Sequence, residues 1–107
     1  VQSHATLRWL WDHQFSLVAF DNVGVEALPS VAGSPFLLKD SAGNHLSSGL
    51  MHPFLIGLMG FILGELWSLD ALADDCAEDG VYECLLVAKP LNLTGGVGSP
   101  ANATAIK

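Results

Sequence analysis

A chain of 107 residues, 50% of them apolar, is long enough for one small domain with its own core and too hydrophobic to remain disordered. Eleven acidic residues against four basic ones leave a net charge of -7, which repels phosphate backbones and anionic lipid headgroups. Nucleic acid and membrane surfaces are therefore disfavoured as partners.

In chain order, Leu7, Leu10 and Trp11 fall at helical spacing behind a capping Ser3, which predicts a short amphipathic helix from Thr6 to Gln14. Ser16 to Phe20 reads as a buried strand, closed by the turn signal Asp21-Asn22. From Val23 to Gly49, Gly, Pro, Ser and Asn dominate, and Pro29, Gly33, Pro35 and Gly43 interrupt any regular element. Irregular segments of that length inside compact domains are usually functional or flexible. A helix is predicted from His52-Pro53 to near Gly60, because proline is tolerated in the first helical turn. Phe61 to Trp67 follows as a strand, with Leu63, Glu65 and Trp67 on one face and Ile62, Gly64 and Leu66 on the other.

Ser68 or Asp70 then caps a helix over Ala71 to Glu78, Gly80 stops it, and Asp74, Asp75 and Glu78 form its solvated face. Tyr82 to Ala88 is the strongest strand pattern, ended by Pro90. Gly95 to Pro100 lacks the spacing of nucleotide-binding glycine loops and reads as a tight turn. Helices alternating with strands predict the α/β class. Trp9, Trp11 and Trp67 are expected in the core, and Cys76 and Cys84 as buried or half-buried free thiols on a helix and the next strand. The densely apolar part beginning at Leu50 is shorter than the roughly 20 residues that cross a bilayer and has no basic flank. No secretory leader opens the chain, so the Asn92-Leu93-Thr94 and Asn102-Ala103-Thr104 glycosylation patterns carry little weight and the expected compartment is the cytoplasm.

The feature with most chemistry is a bracket. Twelve residues from Pro53 to Gly64 carry neither charge nor a side-chain hydrogen-bonding group, and His52 and Glu65, both metal-ligand types, stand at the two ends. An ionisable group at the edge of a packed apolar segment is partly desolvated and needs a compensator: a metal ion, or else a hydrogen bond or salt bridge. Residue types alone leave both open, since a catalytic zinc takes about three protein ligands.

The wording around the pair resembles the C-terminal part of the cyclase family, metal-dependent hydrolases that include kynurenine formamidases (arylformamidases of tryptophan catabolism). It is carried by His52-Pro53, Gly60, the Gly64-Glu65-Leu66-Trp67 stretch and the Leu69-Asp70-Ala71-Leu72 helix start. Leu7 to Phe15, Val18-Ala19-Phe20-Asp21-Asn22 leading to Glu26, and Pro90 to Ala103 agree with it in order. The family's His-x-Gly-Thr-His-x-Asp signature does not occur in these residues, and His4, His13, His45 and His52 are too irregularly spaced to imitate it. With Val1 in place of Met, the reading is a C-terminal portion whose metal-signature half lies upstream.

The resemblance implies the second half of a β/β/α swivelling-type fold, with His52 and Glu65 as two ligands of a zinc or manganese site incomplete in this chain. It implies hydrolysis of an amide-type C–N bond, a formamide or cyclic amide, by a complete enzyme whose missing N-terminal half is the chain's partner. This fragment alone is expected to be inactive. Ile62 stands where relatives usually have Pro, which shifts the loop before Glu65 without removing a ligand. Asp21 matches a family Asp and reads equally as a turn residue, whereas His45 is a weaker neighbour for the site, and His4 and His13 are surface or packing residues. The competing reading is a truncated, non-enzymatic remnant that exposes sheet edges and acts only by association, as a homo-oligomer.

Overall fold

The computed structural model describes residues 2–96 and 98–107, so Val1 and Val97, the latter inside the expected glycine turn, lie outside the described residues. The chain forms two compact units, Val1–Trp67 and Ser68–Lys107. Helices and two small two-stranded sheets make it mixed α/β, as the alternation of patterns predicts.

In the first unit, helix α1 spans His4–Asp12, starting two residues ahead of the expectation. Ser3 lies in extended backbone at its N-cap and its hydroxyl accepts the Thr6 N–H at 3.1 Å, a cap worth about 1 kcal/mol. Leu7 and Leu10 form the buried stripe. Trp9 and Trp11 are 53% and 60% exposed, which corrects their placement in the core: Trp11 lies at the edge of that stripe and Trp9 on the far side. Trp9 instead packs at a tilt against His13 and Phe15, with ring centroids 4.4 and 5.3 Å away.

Strand β1, Leu17–Ala19, is half-buried and pairs in parallel with β2, Ile62–Gly64, Leu17 opposite Ile62. Parallel neighbours need a long crossover, and here residues 20–61 provide it. Residues 23–49 run as turns and bends, as predicted, stitched together by side chains. The Ser34 hydroxyl donates to the Gly49 carbonyl, the Ser47 hydroxyl donates to the Phe36 carbonyl at 2.6 Å, and the Asp40 carboxylate accepts the Ala42 and Asn44 amides. This stitching delivers Phe36 into the core at 0% exposure.

The helix expected after His52 is a π-helical turn, Pro53–Leu58, not an α-helix. Pro53 has no amide to give, and the Met59 amide donates to the Phe54 carbonyl five residues back, at 2.9 Å. Gly60, at φ 73, ends the turn and lets the Phe61 amide reach the Leu55 carbonyl at 2.8 Å. β2 is shorter than predicted because the backbone leaves the strand after Gly64 and Leu66 adopts φ 57. Glu65 thus shares no strand face with Leu63 and Trp67. Leu7, Leu10, Phe36, Met51, Leu55 and Phe61 are the buried core, with Val18, Val25, Phe54, Met59 and Leu63 packed on it.

In the second unit, α2 spans Asp70–Asp79. Neither Ser68 nor Asp70 caps it: Leu69 is the N-cap residue, and Asp70 falls in the first turn, where its charge meets the positive end of the helix dipole. Gly80 ends the helix in the left-handed region at φ 71, as expected. Strand β3, Leu85–Val87, is less than half the predicted length and pairs antiparallel with β4, Thr104–Ile106, which no pattern in the sequence announces. Both thiols are free, Cys76 buried and Cys84 exposed; Cys84 precedes the strand expected to cover it. Among the described residues no helix is long and apolar enough to cross a membrane.

Lys107 follows β4, and its ammonium lies 2.8 Å from both the Asp75 and the Asp79 carboxylates of α2. That bond, and next the Val81 amide, hold the Asp79 carboxyl below the ordinary aspartate value of 3.8. A lowered folded value means stabilisation that is present above the ordinary range and lost as pH falls through the folded one. The expected result is an Asp79 midpoint, read by nuclear magnetic resonance, that rises toward 3.8 in Lys107→Met. An unmoved midpoint would show that the ion pair does not persist in solution.

Candidate functional site

Three titratable side chains from separate parts of the first unit meet. His52 stands at the mouth of the π-helical turn, Glu65 on the turn after β2, and Glu26 in the irregular segment. The bracket pair predicted from the sequence is brought together: His52 Nε2 lies 3.1 Å from Glu65 Oε1. Glu65 is held there by the Val25 amide, which donates to the same oxygen at 3.0 Å.

The other ring nitrogen, Nδ1, lies 2.5 Å from Glu26 Oε1, which also accepts the His52 amide at 2.9 Å. Glu26 Oε2 accepts the Met51 amide at 2.7 Å and the Gln2 side-chain amide at 2.6 Å. Gln2 is in turn fixed by the Val31 amide, which donates to its Oε1, and by its own bond to the Ala27 carbonyl. The Glu26 side chain is 0% exposed, while those of His52 and Glu65 are 26% and 32% exposed, so the site is closed at Glu26 and open at Glu65. Burial pushes the Glu26 carboxyl upward, but the bonds from the His52 ring, the Met51 amide, Gln2 and the His52 amide outweigh it and hold it below the ordinary 4.5.

Among the described residues no group of three or more His, Cys, Asp or Glu side chains is arranged to hold a metal ion. Both Glu26 oxygens are occupied by nitrogen donors, which leaves only His52 Nε2 and the Glu65 carboxylate of the three groups on the open side. Their 3.1 Å separation is that of an ordinary hydrogen bond, and it also lies near the roughly 3.4 Å between neighbouring tetrahedral ligands of an ion with bonds near 2.1 Å.

The remaining sequence candidates are not in this cluster. Asp21 is exposed at the turn after β1. His45 is exposed and takes part in an isolated bridge with Lys39, His13 Nδ1 faces the Trp9 carbonyl, and His4 packs edge-on against Phe36. An open depression of 530 Å³, lined by Trp11, Asp12, Gln14 and Phe15, is formed by none of the clustered residues. Sequence reasoning places Glu26 only at the end of a stretch read as a resemblance and attaches no role to it. One signal points to it: it is the only charged residue between Asp21 and Lys39.

This chain matches no family profile, no curated protein and no solved structure.

Proposed function

We propose that this chain is the C-terminal portion of a cyclase-family hydrolase that cleaves an amide-type C–N bond, with a formamide on an aromatic amine or a cyclic amide as substrate and the second half of a β/β/α swivelling-type fold as its architecture. The observation that carries the reading is the 3.1 Å approach of His52 Nε2 to Glu65 Oε1 at an open edge of the unit. An unprotonated ring nitrogen and a carboxylate oxygen are both acceptors, so a cation between them, a proton or a metal ion, stabilises that approach. The residue wording around His52 and Glu65, which resembles that of a family that uses a metal, favours the ion.

His52 and Glu65 would hold zinc or manganese together with ligands from an upstream half. When bound, such an ion activates water and polarises the amide carbonyl. The protein's part is to fix both ligand atoms in advance: the Val25 amide restrains Glu65, and the Glu26 network restrains His52. Preorganised ligands need no rearrangement when the ion arrives.

The isolated chain is expected to bind zinc weakly and to show no metal-dependent hydrolysis of N-formylkynurenine or a simple aryl formamide. A fused or added N-terminal half should restore both, and His52→Ala or Glu65→Gln in that assembly should lose metal and turnover together at unchanged far-ultraviolet dichroism. Docked halves that take up no metal would overturn the proposal. A chain that hydrolyses either substrate alone, reversibly with a chelator, would show a site complete without the upstream signature.

One observation favours the second reading, a remnant acting by association. Leu85, Val87 and Ile106 on the β3–β4 ribbon are 64%, 47% and 52% exposed, and a two-stranded ribbon is only marginally stable without cover. Concentration-dependent sedimentation, with no gain in zinc affinity on adding the other half, would support it.

A further inference from the structure

The Glu26 carboxylate is enclosed and fully engaged, which makes it more than a filler of the fold. Its Oε1 meets two nitrogens of one residue, the His52 amide at 2.9 Å and the ring Nδ1 at 2.5 Å. Two further donors, the Met51 amide and the Gln2 side-chain amide, point at Oε2. Three of these four partners are amide N–H groups that can only donate. A carboxylate satisfies all three on its lone pairs, so the remaining short bond, to Nδ1, takes its proton from the ring.

We propose that Glu26 is a positioning residue: it holds His52 with the proton on Nδ1 and so leaves Nε2, turned toward Glu65, as the ring's ligand atom. Either neutral tautomer sets one ring lone pair against a carboxylate. The Nδ1 lone pair would meet Glu26, which is shut off from water, whereas the Nε2 lone pair meets Glu65, which is 32% exposed and screened by solvent, so the proton belongs on Nδ1. Binding both the backbone and the ring of the same residue also fixes the ring's direction. Rotation about the side-chain bonds would break the Nδ1 bond while the amide bond stayed. The Gln2 bridge extends the constraint to the segment around Val31, tying the start of the chain to the mouth of the π-helical turn. A carboxylate behind a metal-ligating histidine commonly acts in this way, raising ligand basicity and setting ring orientation.

The tautomer assignment stands on the chain's own geometry, whereas its consequence for a metal rests on the function proposed above. The test keeps the two apart. Long-range proton–nitrogen correlation on the 15N-labelled, metal-free full chain, recorded above the ordinary histidine range, should show Nδ1 of His52 as the protonated nitrogen; His52→Ala assigns the signal. A protonated Nε2 with a bare Nδ1 would overturn the proposal, whatever zinc does. In the same spectra, added zinc should move the His52 Nε2 signal, and Glu26→Gln should weaken that response about 10- to 100-fold while Glu26→Asp recovers part of it. The wild-type measurement decides the tautomer even if Glu26→Gln fails to fold. Nδ1 protonation with no zinc response leaves the positioning role standing and removes the metal reading alone. An unchanged tautomer and zinc response in folded Glu26→Gln would overturn the positioning role.

Discussion

Phe36→Ala is expected to destabilise the Val1–Trp67 unit by about 3–5 kcal/mol, measured as a lower midpoint of chemical denaturation. The ring is 0% exposed and lies 4.9 Å, centroid to centroid, from both His4 on α1 and Phe54 on the π-helical turn. It therefore joins three segments distant in sequence. The backbone that carries it cannot collapse easily into the vacated space, because the Ser34 hydroxyl accepts its amide at 3.3 Å and the Ser47 hydroxyl donates to its carbonyl at 2.6 Å. A cavity that cannot close costs more than the lost transfer free energy alone. Small domains hold only about 5–15 kcal/mol in total, so a loss of this size empties much of the folded population. Since Phe54 follows His52 by two residues, any zinc response of His52 should fall with it. A loss below about 1 kcal/mol would show that the ring is not a core residue.

The second large effect is expected at Gly64, the last residue of β2. A methyl group there would lie 2.6 Å from Trp67 Cε2 and 2.8 Å from Ala19 Cβ, so Gly64→Ala must displace the indole, the neighbouring strand or both. Overpacking of this kind costs about 1–3 kcal/mol. Displacing the backbone here also moves the next residue, Glu65, away from the Val25 amide and His52, so zinc binding should weaken beyond what stability alone explains. Gly57→Ala is the matched control, because nothing lies within 4 Å of the added carbon. In the π-helical turn that change should leave stability unchanged or raise it slightly. Equal denaturation midpoints for the two variants would contradict the packing of Trp67 over Gly64.

Features set by neighbouring residues are legible in the amino-acid order alone. The Ser3 cap, the Gly80 stop and the course of 23–49 without helix or strand follow from interactions a few residues long, and the apolar run of β1 is legible before its partner is known. The pairing of His52 with Glu65 is foreshadowed too, because each sits at an edge of one apolar run that packs through Leu55 and Phe61, and an ionisable group at such an edge needs a partner.

Tertiary structure decides the rest. The π geometry of Pro53–Leu58 matches an apolar pattern that an α-helix would serve equally well, and the early end of β2 follows from the fold of Trp67 over Gly64. β4 has only three residues, too few for alternation to register, and appears because Leu85–Val87 is there to pair with it. Hydrophobicity alone places Trp9 and Trp11 in the core, but the stripe of α1 that packs is set by the shape of what it packs against, and that stripe is Leu7 and Leu10. Glu26 is 26 residues from His52 and 24 from Gln2, separations at which no local periodicity operates. Its role depends on the crossover between two parallel strands folding back on itself, so that one buried carboxylate can collect donors from Gln2 at the start of the chain and from Met51 and His52 late in the crossover.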